Sequence, residues 1–359
     1  MNKLICLLLF SLVFSVEGSA GSKTDKAKVV NVIVVIQDPV VNGKRVHEFI
    51  KTPGHSFQWN DPWQLTRDYE QALEEVSHGV IDYRVIEIID SHEYFSVLKE
   101  SGEKLSEKRV IELLKEPAWK TFNEEGARFD YKAFIGHFGF EKMRDEGKIH
   151  EIWVWTSPVT GMWESNMSGN DAFWLNSDPT EGVNCKEQLC VMGLNYERDL
   201  ACALESYGHR FESIMMEVYG WWGYENKSRK EELTTWEKYT AYATKYDKYN
   251  PGMSHIGVIH FPPNGEKDYD WANTKSVFTY AKNWLGYPDV KDEKPVMIDC
   301  SEWGCSHLGY LKWWFGHIPH FKGINPADGK LNNWWYYVVS YNDAVKAENE
   351  ANVWPDNAK

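Results

Sequence analysis

Six short β-branched runs, each followed by a turn and then by a stretch of helical periodicity, constrain this chain more than any other feature. They are Val29 to Gln37, Tyr83 to Ile89, Glu151 to Thr156, Leu189 to Leu194, His255 to Phe261 and Val296 to Asp299. Apolar residues run through them without regular alternation, the mark of strands buried on both faces. Between them, helical patterns occupy Trp63 to Ser77, Glu107 to Leu114, Tyr131 to Glu146, Glu197 to Tyr219, Thr234 to Tyr246, Thr274 to Trp284 and Leu331 to Val345. This alternation predicts an α/β fold with a largely parallel sheet flanked by helices. Six candidate strands fall short of the eight that a barrel needs, so an open doubly wound sheet is favoured, with barrel-like closure as the alternative.

At the start of the chain, Lys3 precedes an apolar core from Leu4 to Val16, followed by the small residues Ser19, Ala20 and Gly21. That core has signal-peptide length and is too short to span a bilayer. The expected organisation is a signal peptide over residues 1–20 and a single α/β domain over 21–359, in a secreted or extracytoplasmic protein. No later stretch approaches the roughly 20 apolar residues of a spanning helix. With 39 Lys+Arg against 53 Asp+Glu, the net charge of -14 argues against nucleic acid as a partner, because phosphate-backbone binding needs a basic surface.

An oxidising compartment bears on the cysteines. Cys185 with Cys190 and Cys300 with Cys305 are close in sequence and flank turn-like segments, so two local disulfides are expected, leaving Cys202 as a buried free thiol. Asn166-Met-Ser and Asn226-Lys-Ser fit the glycosylation sequon.

Ligands in parallel α/β folds lie at the carboxyl ends of the strands. The segment Asp299 to Gly304 follows the last predicted strand and places Glu302 beside Trp303, which makes Glu302 the first candidate catalytic carboxylate. Glu164, beside Trp163 in an aromatic loop, and Glu197, at the start of a helix, are candidates for the second. Glycoside hydrolysis requires such a pair, one protonated and one ionised. Aromatic residues reach 15% of the chain, and their ring faces suit sugars as well as cores. Trp163, Asn195, Trp303, Asn333 and Trp334 are the expected substrate contacts.

A second constellation lies on the helix over Glu197 to Tyr219. Leu200, Leu204, Tyr207, Phe211, Met215 and Val218 mark one face, while Glu205, His209 and Glu212 line nearly the opposite one. His209 and Glu212 form an H-x-x-E spacing that can hold a divalent metal; the same spacing also fits a solvated face with intrahelical charge pairs. Gly208, a poor residue for mid-helix, permits close approach of another segment. His317 and His320 are weaker candidates to join His209, with Pro319 between them bending the chain.

The chain has no G-x-S-x-G elbow, H-E-x-x-H, P-loop or G-x-G-x-x-G motif, which disfavours nucleotide cofactors and lipase-type serine chemistry. The segments Asn195-Tyr-Glu-Arg198, Gly208-His-Arg-Phe-Glu-Ser213 and Cys300-Ser-Glu-Trp-Gly304 resemble those of a family of secreted bacterial proteins without a known activity. That resemblance spans most of the mature chain and implies no mechanism. The leading expectation is therefore a secreted carbohydrate-active hydrolase that needs no cofactor. The alternatives are a metal-dependent hydrolase of peptide or ester bonds and a noncatalytic glycan- or surface-binding protein.

Overall fold

The computed structural model describes residues 27–54, 58–223, 233–243, 253–290 and 294–349. The expected signal peptide and the sequon at Asn226 lie outside the described residues. The main sheet has five strands: β1 (Lys28–Ile36), β2 (Ile81–Asp90), β3 (Glu151–Thr156), β4 (Ser165–Ser168) and β5 (Leu189–Asn195). Their spatial order is β2-β1-β3-β5-β4; the first four are parallel and β4 runs antiparallel to β5. The sheet is open rather than a closed barrel.

Continuous apolar runs arise because both faces of the central strands are covered. Val32, Val34 and Ile36 face one core with Trp153, Trp155 and Met192, while Ile33 and Val35 face another with Ile152, Val154 and Val191. Helices α1 (Pro62–Val76) and α3 (Leu200–Tyr219) cover the first face; α2 (Tyr131–Phe138) covers the second. None of the described helices is long and apolar enough to cross a membrane.

Two predicted strands fall outside the main sheet. The run from His255 to Phe261 is instead a turn around Gly257, whose φ of +89° and close approach to the Phe261 carbonyl exclude a side chain. Val296–Ile298 pairs antiparallel with Val277–Thr279 in a small separate sheet, so the helix expected over Thr274 to Trp284 gives way to a strand and the 3₁₀ turn Ala281–Gly286. The helix expected from Tyr131 to Glu146 breaks at Gly139, which adopts left-handed backbone between two shorter helices.

The cysteine expectation divides. Cys300 and Cys305 form a disulfide, whereas Cys185, Cys190 and Cys202 are free thiols. The Cys185–Cys190 pairing fails because successive strand residues point to opposite faces: Cys190 packs with Met192 on one side of β5, while Cys185 packs with Leu189 and Val191 on the other. Cys202 is half-buried rather than buried. Alkylation after denaturation without reductant is expected to label Cys185, Cys190 and Cys202 and to leave Cys300 and Cys305 unlabelled. A Cys185–Cys190 cross-linked peptide in the mass spectrum would refute this assignment.

Candidate functional site

Helix α3 starts where β5 delivers the chain to the carboxyl edge of the sheet. Asp199 caps it by accepting from the amides of Ala201 and Cys202, and Gly220 ends it with left-handed backbone. The helix is buried nearly all round, so Glu205 and Glu212 are buried rather than on a solvated face. Inside it, Arg210 forms an ion pair with the buried Glu151 of β3 and donates to the Val338 carbonyl at 2.8 Å.

Gly208 determines what packs against the polar stripe. A Cβ at this position would fall 2.3 Å from Ile259 Cδ1 and 2.6 Å from its Cγ1, so the Ile259 side chain lies directly on the bare glycine and would have to shift to admit a larger residue. Glu212 Oε1 fastens the same turn by accepting the Ile259 amide at 3.0 Å. The next residue, His260, is thereby brought over α3.

Three donor atoms meet there. His209 Nε2 lies 3.0 Å from His260 Nε2, His260 Nε2 lies 3.0 Å from Glu205 Oε1, and His209 Nε2 lies 3.9 Å from the same oxygen. Each ring has a carboxylate at its other nitrogen: Glu212 Oε2 is 3.1 Å from His209 Nδ1, and Asp268 Oδ1 is 3.1 Å from His260 Nδ1. An ionised carboxylate only accepts, so both Nδ1 atoms carry protons and, in the neutral rings, both Nε2 atoms present lone pairs. With both rings neutral, two nitrogen lone pairs and a carboxylate oxygen converge on one point, a donor set able to hold a cation. Ligand bonds of 2.0–2.2 Å in tetrahedral geometry space neighbouring donors by about 3.3 Å, which the separations of 3.0, 3.0 and 3.9 Å bracket.

With no ion between these groups, protons take that place, and the electrostatics describe that protonated state. Burial opposes ionisation of Glu205, but the hydrogen bonds from His260 and His307 outweigh it and hold the carboxyl down at about 2. Burial likewise disfavours a charged His209, yet the hydrogen bond and charge of Glu212 raise it to about 9. Tyr269 packs its ring 4.3 Å from His260 and occupies left-handed backbone at φ 61°, a strained conformation for a non-glycine residue.

His209, Glu212 and His260 line a cleft of about 560 Å³ whose walls include Trp174, Trp222, Tyr242 and Phe261. A neighbouring cleft of about 590 Å³ shares Trp174 and Asn176 with it and is lined by Trp163. Trp163 is 57% exposed and Trp174 37%. Glu164 joins this region by accepting from Asn176 Nδ2 at 2.9 Å.

The remaining sequence candidates are dispersed. Glu302 is exposed on the 3₁₀ turn Cys300–Trp303 and lines neither cleft. Glu197 is buried outside both clefts, 3.4 Å from Arg198 Nε, and Asn195 ends β5 half-buried. Trp303, Asn333 and Trp334 are buried and so present no ring face or amide to a sugar; Trp303 donates to the Trp271 carbonyl and Trp334 packs among Trp236, Tyr239 and Trp284. His317 is turned to the Trp313 carbonyl and His320 stacks on His78, away from His209. Asn166 is buried with its amide donating to Ser177 and Asp178, which removes it as a glycosylation acceptor in the folded chain.

Sequence reasoning named His209 and Glu212 as ligands, whereas Glu212 stands behind the His209 ring and Glu205 supplies the oxygen at the point of convergence; it missed His260 and, behind it, Asp268. The signal for His260 was Gly208, whose close neighbour had no address in the sequence. Comparison with protein-family models, with curated proteins and with solved structures finds no match to this chain.

Burial raises the Glu197 carboxyl to about 7, against a weaker lowering by Arg198. Its folded pKa thus lies above its unfolded value, so its contribution to stability is full below the ordinary Glu value and is lost as pH rises toward 7. Glu197→Gln is expected to stabilise the protein above pH 7 by on the order of 3 kcal/mol and to flatten urea-measured stability between pH 4.5 and 7. An unchanged pH profile would show that Glu197 does not titrate there.

Proposed function

We propose that this protein is a metal-dependent hydrolase acting on ester or amide bonds of a glycan-type extracellular substrate. The observation that carries the reading is the convergence of His209 Nε2, His260 Nε2 and Glu205 Oε1, with Glu212 and Asp268 behind the two rings. Two imidazoles and a carboxylate are a ligand set suited to catalytic zinc, and carboxylates on the distal ring nitrogens fix tautomer and orientation. When bound, a divalent ion supplies Lewis acidity and lowers the pKa of coordinated water.

The chain's own groups supply the rest. Glu164, held by Asn176, a residue that lines both clefts, is the carboxylate assigned to accept a proton. The Tyr269 phenol, pushed up to about 12 by burial and by the nearby carboxylates, stays protonated and donates to developing negative charge. Trp163 and Trp174 offer ring faces for sugar along the two adjoining clefts. The Cys300–Cys305 disulfide supports an extracytoplasmic location, and the acidic chain disfavours nucleic acid as the substrate.

Support for a paired-carboxylate glycosidase is thinner, because none of Glu302, Glu197 and Glu164 lines either cleft and only Glu164 is tied to one, through Asn176. A noncatalytic glycan-binding protein would use the same exposed tryptophans but leaves the buried histidine–carboxylate cluster without a role.

The test combines metal analysis of the purified full chain with hydrolysis of acetylated oligosaccharides and aryl esters. His209→Ala and His260→Ala are each expected to abolish turnover and the zinc held between these two rings, and Glu212→Gln to weaken that zinc about 10–100-fold, while Glu302→Gln changes neither. Full activity in chelator-treated, metal-free protein would overturn the proposal. So would loss of activity in Glu302→Gln with metal unchanged.

A further inference from the structure

Glu205 has a second oxygen, and it faces a second group of ligand atoms. Glu205 Oε2 lies 3.0 Å from His307 Nε2, and the donor atoms of Cys202, Glu205 and His307 all fall within 4.8 Å of one another. From this geometry we infer a second cation site formed by Cys202, Glu205 and His307, with Glu205 bridging it to the ion held by His209 and His260.

The site is built from separate elements that fix its parts. Cys202 sits in the first turn of α3, and Glu205 follows one turn later on the same face. His307 begins helix α4 (His307–Gly316), directly after the Ser306 cap and the Cys300–Cys305 disulfide. Its ring stacks on Trp271 at 3.6 Å with 6° between the planes. Trp271 is fixed in turn, accepting from Trp303 Nε1 at 2.7 Å and donating toward the Ile259 carbonyl at 3.4 Å. Thus the turn that carries His260 and the ring that supports His307 share an anchor.

The carboxylate is the decisive group. The Glu205 side chain is only 8% exposed, and its two oxygens meet different imidazoles, Oε1 that of His260 and Oε2 that of His307. A buried carboxylate divided between two nitrogen donors has the form of a bridge between two ions, as in paired-metal hydrolases whose ions lie about 3.5–4 Å apart. A thiolate, an imidazole and a carboxylate together select zinc over the hard cations magnesium and calcium. Cys202 is a free thiol, so its sulfur is available as a ligand.

This inference rests on the first metal centre, and the experiment separates the two. The intact chain is loaded with zinc and, separately, with cobalt(II). The expected results are two zinc ions per chain and a thiolate-to-cobalt charge-transfer band in the near ultraviolet. Cys202→Ser is expected to lose that band and to retain one zinc; His307→Ala is expected to lose one zinc as well. One zinc per chain with no thiolate band, abolished by His209→Ala, would overturn the second site and leave the first standing. No zinc in the wild type would overturn both. Because the cobalt band is read on the unaltered protein, the inference stays testable even if a variant fails to fold.

Discussion

The contact between Gly208 and Ile259 is the constraint on which the cleft depends. A mid-helix glycine costs about 1 kcal/mol of helix stability relative to alanine. Here it lets the turn over residues 257–261 lie directly on α3, where the Glu212 carboxylate accepts the Ile259 amide. Seated beside Ile259, His260 reaches Glu205 and His209 at 3.0 Å each. Trp271, which donates toward the Ile259 carbonyl, transmits the same position to His307. Ile259, held through its amide by Glu212 and through its carbonyl by Trp271, therefore links both halves of the histidine–carboxylate cluster.

Burying several carboxylates and imidazoles together is costly unless each is paired. The structure meets this requirement in two ways. Arg210 and Glu151 neutralise each other between α3 and β3, anchoring the helix to the sheet. At the cleft the accounting differs: the imidazole nitrogens that remain after Glu212 and Asp268 are satisfied face each other and Glu205. A positive charge at that point resolves the conflict, and in this reading the ion is part of what stabilises the local fold as well as what confers reactivity.

Much of the fold was legible in the sequence because burial on both faces leaves a distinct signature. The unbroken apolar runs of β1 and β3 and the capped, periodic α1 and α3 appear where periodicity placed them. Short apolar runs are ambiguous, however, and His255 to Phe261, which reads as a strand, is a turn because Gly257 takes positive φ. The site was legible only along α3, where helical spacing links Glu205, His209 and Glu212. His260, Asp268 and His307 come from distant loops and a helix start, and no periodicity connects them to α3. The tryptophans misled for a related reason: Trp303 and Trp334 are core residues, whereas Trp163 and Trp174 remain exposed, and composition does not distinguish the two.

In the proposed centre a divalent ion sits between His209, His260 and Glu205. Anomalous diffraction from crystals grown with zinc, recorded on both sides of its absorption edge, tests this most directly. A zinc peak is expected within bonding distance of His209 Nε2, His260 Nε2 and Glu205 Oε1. Zinc-soaked crystals with no anomalous peak at that point, and with the three groups still hydrogen-bonded to one another, would contradict it.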